Sequence, residues 1–281
     1  MRSWRRLIAA AAICLVGTGC SGGHLDQQSG PYAVETGGDS VILSISAFGG
    51  LDNAYHPWRS IPPMFSLYGD GRVILSCPPS YKYAPAVMTC LNEARVSPDE
   101  IQRLMAAADQ AGLLTDGALA GPQITDWDTT VFKTRVGGKS HRVEAYALDA
   151  SEPTEDDTVQ AARARLLTFE KKALDLSGFL GRSVETKTYA ASSITVSAYS
   201  AQAPSVTPAT AVRVWPVTFD PADAKGSDFK LSGEDMSTFV VAVQQATVAD
   251  VWMAPSGYCQ VSAHPSYPEE QNSGESTATA A

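Results

Sequence analysis

The chain has 281 residues, a formal net charge of −9, and is 44% hydrophobic and only 18% charged. So acidic a chain has no electrostatic reason to bind nucleic acid or to lie flat on an anionic bilayer. Its length suits one large domain or two small ones, with ample sequence for a core.

The chain opens with Arg2, Arg5 and Arg6 and no acid, followed by an apolar stretch from Leu7 to Val16 and then Gly17, Thr18 and Gly19. Residues 1–19 read as a signal peptide, too short to span a bilayer as a permanent helix. Gly17-x-Gly19 fits the small-x-small rule of ordinary secretory cleavage. Gly19 before Cys20, with Ser21, Gly22 and Gly23 after it, resembles instead the cleavage site of bacterial lipoproteins, although that pattern prefers Leu where Gly17 stands. A thiol directly after a leader has no structural use, which favours lipidation of Cys20, and two acyl chains give a stable anchor where one does not. Removing residues 1–19 takes away three arginines and no acid, so −9 becomes −12.

Residues 20–40 are rich in Gly, Ser and Gln and read as a lipid-site cysteine plus a flexible tether; some twenty such residues have an r.m.s. span of roughly 25 Å. Residues 41–48 (VILSISAF) read as a strand, and "MFSLYGDGRVILS" as a hairpin whose Asp70-Gly71 turn supplies a positive φ. Ser97 and Glu100 form a capping box with Pro98 at the first helical position. The helix that follows carries Ile101, Leu104, Met105 and Ala108 on one face and ends at Gly112. "TTVFKTRVGGKSHRVEAYA" predicts a second hairpin turning at Gly137-Gly138, with Phe132 opposite Val143 and Thr130 opposite Ala145. Its other face carries Lys133, Arg135 and Arg142. After "SEPTEDD", the spacing of Val159, Ala162, Leu166, Phe169, Ala173 and Leu176 predicts one long helix to Gly178.

Beyond residue 180 the pattern repeats in shorter form. ISAF at 45–48 matches VSAY at 196–199, and the helix from Val96 matches that from Leu231. The stretch around Val143 also matches that around Val261. These matches suggest an internal duplication: an α+β fold with an antiparallel sheet built from hairpins, helices on one side, a first half at 41–180 and a second, shorter half at 181–267. Residues 269–281 have no apolar side chain larger than alanine, and 268–281 read as a disordered tail.

Of the cysteines outside the leader and Cys20, the spacing favours a disulfide between Cys77 and Cys90 closing the Pro-rich "CPPSYKYAPAVMTC", the alternative being two buried thiols. Cys259 is left over, and its strand-like neighbours suggest a small buried hydrophobe. Catalytic motifs are poor. A formal Gly-x-Ser-x-Gly at Gly19–Gly23 lies across the cleavage site. Ser227 and Lys230 lack the partner motifs of Ser-x-x-Lys enzymes. Gly138-Lys139-Ser140 sits in a hairpin turn, and Asp126 and Asp128 lack the glycine of a calcium loop. The four histidines are scattered without a Cys-x-x-Cys, so no metal or cofactor is expected.

The leader ending at Cys20, "FSLYGDGRVI" at 65–74, the helix after Ser97 and "ITDWDTTVF" at 124–132 together resemble a group of uncharacterised lipoproteins from high-GC Gram-positive bacteria. The resemblance implies a cell-envelope location and no known activity.

Hairpin geometry offers one expectation about binding. Phe65 and Ser76 should be neighbours at the open end, so the loops entering and leaving there should adjoin. The entering loop carries Tyr55, His56, Trp58 and Arg59, and the leaving loop carries Tyr81, Lys82 and Tyr83. Tyr, Trp and Arg on proline-stiffened loops make binding hot spots, although Trp58 and Tyr55 could equally fold inward as a plug. The expected function is a membrane-tethered, extracytoplasmic recognition or structural module meeting an envelope protein, peptide or glycan; the alternative is an extracytoplasmic hydrolase with a site assembled from distant residues.

Overall fold

The computed structural model describes residues 30–50, 61–77, 85–152, 154, 156–203, 211–224 and 228–272. The fold is α+β. Among these residues the strands make two mostly antiparallel sheets. The first has eight strands: β1 (Val41–Gly49), β2 (Phe65–Tyr68), β3 (Arg72–Ser76), β4 (Leu91–Arg95), β5 (Gly117–Leu119), β6 (Asp128–Val136), β7 (Lys139–Tyr146) and β8 (Lys187–Thr188), in the order β5-β7-β6-β1-β2-β3-β4-β8. Helices α1 (Pro98–Ala111), α2 (Asp157–Leu174) and α3 (Leu176–Leu180) share its main core. The second sheet has five strands: β9 (Ser193–Ser200), β10 (Val212–Val214), β11 (Asp228–Ser232), β12 (Val251–Ala254) and β13 (Gly257–Pro265), in the order β10-β12-β13-β9-β11. Helix α4 (Gly233–Val243) packs on it, and α5 (Pro268–Asn272) follows its last strand.

Strand alternation sets which face is which. The row Val143–Phe132–Ile45–Phe65–Leu75 crosses five strands of the first sheet and faces the helices. One residue along, the row Arg142–Lys133–Ser44–Ser66–Ile74–Glu93 points the other way. A register shift between Val41 and Leu43 lets Ile42 join the helix-side core while Val41 packs on the opposite side with Tyr68.

Local signals produce the local elements. Ser97 and Glu100 form the reciprocal capping box, and Gly112 closes α1 in the left-handed conformation. Gly71 (φ 82°) turns the first hairpin, and Gly137 and Gly138 (φ 58° and 72°) turn the second with the predicted register. Cys77 and Cys90 are joined by a disulfide, and Cys259 is a buried thiol whose pKa burial pushes up to about 11. The first hairpin is one step out of the expected register: Phe65 pairs with Leu75, and the Ser76 amide bonds to the Met64 carbonyl (3.0 Å).

The predicted long helix is broken. Asp175 leaves helical geometry, and its carboxylate accepts the Gly178 amide (3.0 Å), so α2 stops at Leu174 and α3 runs on to the left-handed Gly181. This is the local side-chain competition that makes Asp a poor mid-helix residue.

The duplication is only partly visible. ISAF and VSAY both lie in the strand that pairs on both sides, β1 and β9, and Ser97 and Ser232 both occupy a helix N-cap, Ser97 two residues beyond β4 and Ser232 at the last position of β11. The hairpins differ. β6, first in its hairpin, pairs with β1, whereas β13, second in its hairpin, pairs with β9. Val143 therefore lies one strand further out than Val261, and the expected superposition of the two is not met.

Two segments expected to be flexible are partly built into the body. Val34 is fully buried in the main core, and Tyr32 bonds through its backbone to Gln102 and through its hydroxyl to Asp109. A Cβ on Gly69 would collide with the Glu35 carbonyl, so glycine there permits the close passage of this segment. Within the expected tail, residues 268–272 form α5, where Glu269 accepts the Tyr68 hydroxyl (2.7 Å) and Glu270 accepts the Tyr267 amide (2.9 Å). The tail is held by these acceptors together with the buried ring of Pro268.

The helix layer is clamped to the sheet by one cation. Arg163 on α2 is 3% exposed and donates to the carbonyls of Ala120 (3.3 Å), Tyr146 (2.7 Å) and Ala147. Ala147 has φ 49°, a conformation costly for a residue with a side chain, which the clamp and the Asp128 carbonyl hold in place. Arg163→Ala should therefore lower unfolding free energy by about 3 kcal/mol or more, read as a lower urea midpoint. Arg163→Lys should recover less than half, because an ammonium lacks the planar fork. A loss below about 0.5 kcal/mol for Arg163→Ala would contradict the clamp.

Candidate functional site

Tyr55, His56, Trp58, Arg59, Tyr81, Lys82 and Tyr83 lie outside the described residues. Their flanks do adjoin. Ser76 Oγ donates to the Pro63 carbonyl (2.9 Å), and the Cys77 amide donates to the Cys90 carbonyl (3.0 Å). The end of the first segment and the start of the second thus lie side by side next to the disulfide.

A second feature is a groove of about 780 Å³ on the other half of the first sheet. Five parts of the chain build it. The hairpin contributes Lys133, Arg135 and Arg142, the N-terminal segment Glu35 and Asp39, and α5 Glu269. Ser44 lines it from the central strand β1, and Asp116 from the loop before β5.

The carboxylates of the groove are engaged. Glu35, itself buried, pairs with Arg135 (2.9 Å), and Asp116 accepts the Arg142 amide (2.7 Å) with His141 Nδ1 3.9 Å away. Glu269 holds Tyr68, and Asp39 also has a partner. Burial raises the Glu269 pKa above its ordinary value, with the Tyr68 hydrogen bond opposing. Arg142 Nε donates to Glu144 (2.6 Å). The Lys133 side chain is exposed and makes no hydrogen bond or ion pair among the described residues.

A third cluster bears on catalysis. Ser262 and His264 lie on one face of β13 opposite Ser197 and Thr195, and all but Thr195 are buried. His264 Nδ1 lies 3.0 Å from its neighbour's carbonyl, Pro265 O, and 4.0 Å from Glu270 Oε2. The hydroxyls of Ser197 and Ser262 are buried without a hydrogen bond. A nucleophilic serine is activated by a base within hydrogen-bond reach; among the described residues no hydrogen bond joins either of these two to His264. Ser140 and His141 in the groove are consecutive on a strand, so their side chains point to opposite faces and cannot pair.

The basic residues of the groove are legible in the hairpin's alternation, but its acidic rim is not, because Glu35 and Glu269 sit in segments that read as tether and tail. "PYAV" at 31–34 offers an apolar anchor, and Pro268 followed by Glu269 and Glu270 is a helix-start signature. No protein-family model, curated protein or solved structure matches the chain.

The raised pKa of Glu269 gives a pH dependence. A carboxyl with a folded pKa above its unfolded value near 4.5 contributes stability that is full below 4.5 and lost as pH rises through the folded value. Glu269→Gln keeps an acceptor for Tyr68 without a charge to bury. Its melting temperature should therefore rise relative to the parent between pH 4.5 and 8, as read by thermal denaturation. A pH-independent difference would contradict burial of the charge.

Proposed function

We propose that the chain is a lipid-anchored protein of the outer face of the cell membrane whose folded body recognises an envelope component without transforming it. The address rests on the leader, on Cys20 and on the resemblance to envelope lipoproteins. The Cys77–Cys90 disulfide supports an oxidising compartment. With residues 30–50 built into the body, nine residues separate Cys20 from Gly30, a length of chain that can reach at most roughly 35 Å. The body would sit close to the surface that anchors it. Among the described residues, no helix is long and apolar enough to cross a membrane.

Recognition is carried by one observation: the groove has a fixed charge pattern whose carboxylates are already engaged. Carboxylates held this way fix the positions of the charges that a ligand would meet. The loops with Tyr55, His56, Trp58, Arg59, Tyr81 and Tyr83 would be a second contact surface. The ligand would be an envelope protein, peptide or glycan. A hydrolase is the alternative reading, which Ser197, Ser262 and His264 would have to serve.

Cys20→Ser should move the protein from the membrane fraction into the medium, because the acyl chains supply nearly all of its membrane affinity. Unchanged fractionation would sink the anchor. A photo-crosslinking side chain at Ser140, on the groove wall, should capture a discrete envelope component in intact cells.

A further inference from the structure

We infer that the groove is an oxyanion site, in which a carboxylate or phosphate group of the ligand sits between Lys133 and Arg142 with Ser44 as its hydroxyl partner. The inference deepens the recognition reading and rests on it.

The three residues form a line that the register fixes. Arg142 pairs with Lys133 across β7 and β6, and Lys133 with Ser44 across β6 and β1. All three point away from the helices and line the same groove. Neighbouring strands lie about 4.8 Å apart, so the three Cα positions span roughly 10 Å. A carboxylate or phosphate can be touched there from both sides. Ser44 is 8% exposed and shares its row with Ser66, which is 1% exposed and has an unbonded hydroxyl. The polar row thus runs on under the groove wall, where an apolar residue would pack at lower cost.

Charge balance favours an anion here. The chain has 30 acidic side chains against 21 Lys and Arg, so a lysine in a groove would ordinarily find a carboxylate. The nearby acids are spoken for: Glu35 holds Arg135, Asp116 holds the Arg142 backbone, and Glu144 holds Arg142 through Nε. The terminal nitrogens of Arg142 make no hydrogen bond among the described residues and remain available beside Lys133. A guanidinium that is oriented by a carboxylate and keeps free donors is well placed for bidentate recognition of an oxyanion. The rim acids Glu35, Asp39 and Asp116 would repel a polyanion, so the geometry selects one oxyanion on a ligand whose remainder is neutral or cationic.

The test is titration of the whole mature chain at low ionic strength with inorganic phosphate and with acetate, followed by backbone amide NMR, with sodium chloride as the ionic-strength control. Saturable shifts centred on Ser44, Lys133 and Arg142 are expected from at least one of the two, and the tighter one identifies the oxyanion. Lys133→Gln, on an exposed side chain, should weaken that binding at least tenfold. Lys133→Arg should retain it. Shifts that chloride reproduces, or a Lys133→Gln variant that binds like the parent, would overturn the inference. If the Ser140 crosslinker captures an envelope component while neither anion binds, the oxyanion site fails and recognition stands. If both experiments are blank, both readings fail.

Discussion

Everything on the open side of the first sheet depends on how the chain between Cys77 and Cys90 is spent. The disulfide closes this excursion at its base, with the two cysteines 13 positions apart in sequence and 5.4 Å apart at Cα. At its far side the chain leaves the first sheet and docks on the second. Val248 donates to the Pro85 carbonyl (2.9 Å), Val87 to Ala246 (3.1 Å), Ala263 to Val87 (2.7 Å) and Thr89 to Ala263 (2.8 Å). Val87 is fully buried in the aromatic core of the second sheet, which also holds Trp215, Phe229, Phe239 and Trp252. Burying one such side chain contributes about 2 kcal/mol, and closing a loop of this length about 3 kcal/mol on the chain-entropy account. The second joint is made of tyrosines: Tyr68, Tyr189 and Tyr267 pack with Ile74 and Leu91, and Tyr267 donates to the Pro63 carbonyl (3.2 Å).

This arrangement explains why the groove exists. Because the second half docks over strands β2 to β4, its C-terminal helix α5 is delivered to the rim beside β1, where Glu269 meets Tyr68. The N-terminal segment closes the opposite rim through Val34, Glu35 and the contact with Gly69. Neither rim belongs to the sheet. The basic row Lys133–Arg142 would be an open, solvated sheet face without them, and the side chains that confine it come from segments far away in the sequence on either side, at Glu35 and at Glu269.

Much of the fold was legible because its signals are local. The capping box at Ser97, the glycine turns at Gly71 and Gly137-Gly138, the register of Phe132 with Val143 and the cysteine pairing each depend on a few neighbouring residues. Failures came where a tertiary partner decides. Asp175 reads as an exposed helix position until its own carboxylate takes the Gly178 amide. The 85–90 segment reads as an insertion without a counterpart, whereas Val87 serves as a core residue of the other sheet. The stretches 30–40 and 268–272 read as polar and loose, and their order comes from specific hydrogen bonds to Gln102, Asp109, Tyr68 and Tyr267. That β13 rather than β12 pairs with β9 is likewise invisible locally, since both strands carry buried apolar residues.

The central claim is that the stapled excursion couples the two sheets into the body that forms the groove. Hydrogen exchange compares the disulfide-bonded protein with the Cys77→Ser/Cys90→Ser variant most directly. The account predicts that amide protection in β9 and β13 falls at least tenfold in the variant, while β6 and β7, held by Arg163 and the helix layer, keep theirs. Equal protection of β9 and β13 in the two proteins would contradict it.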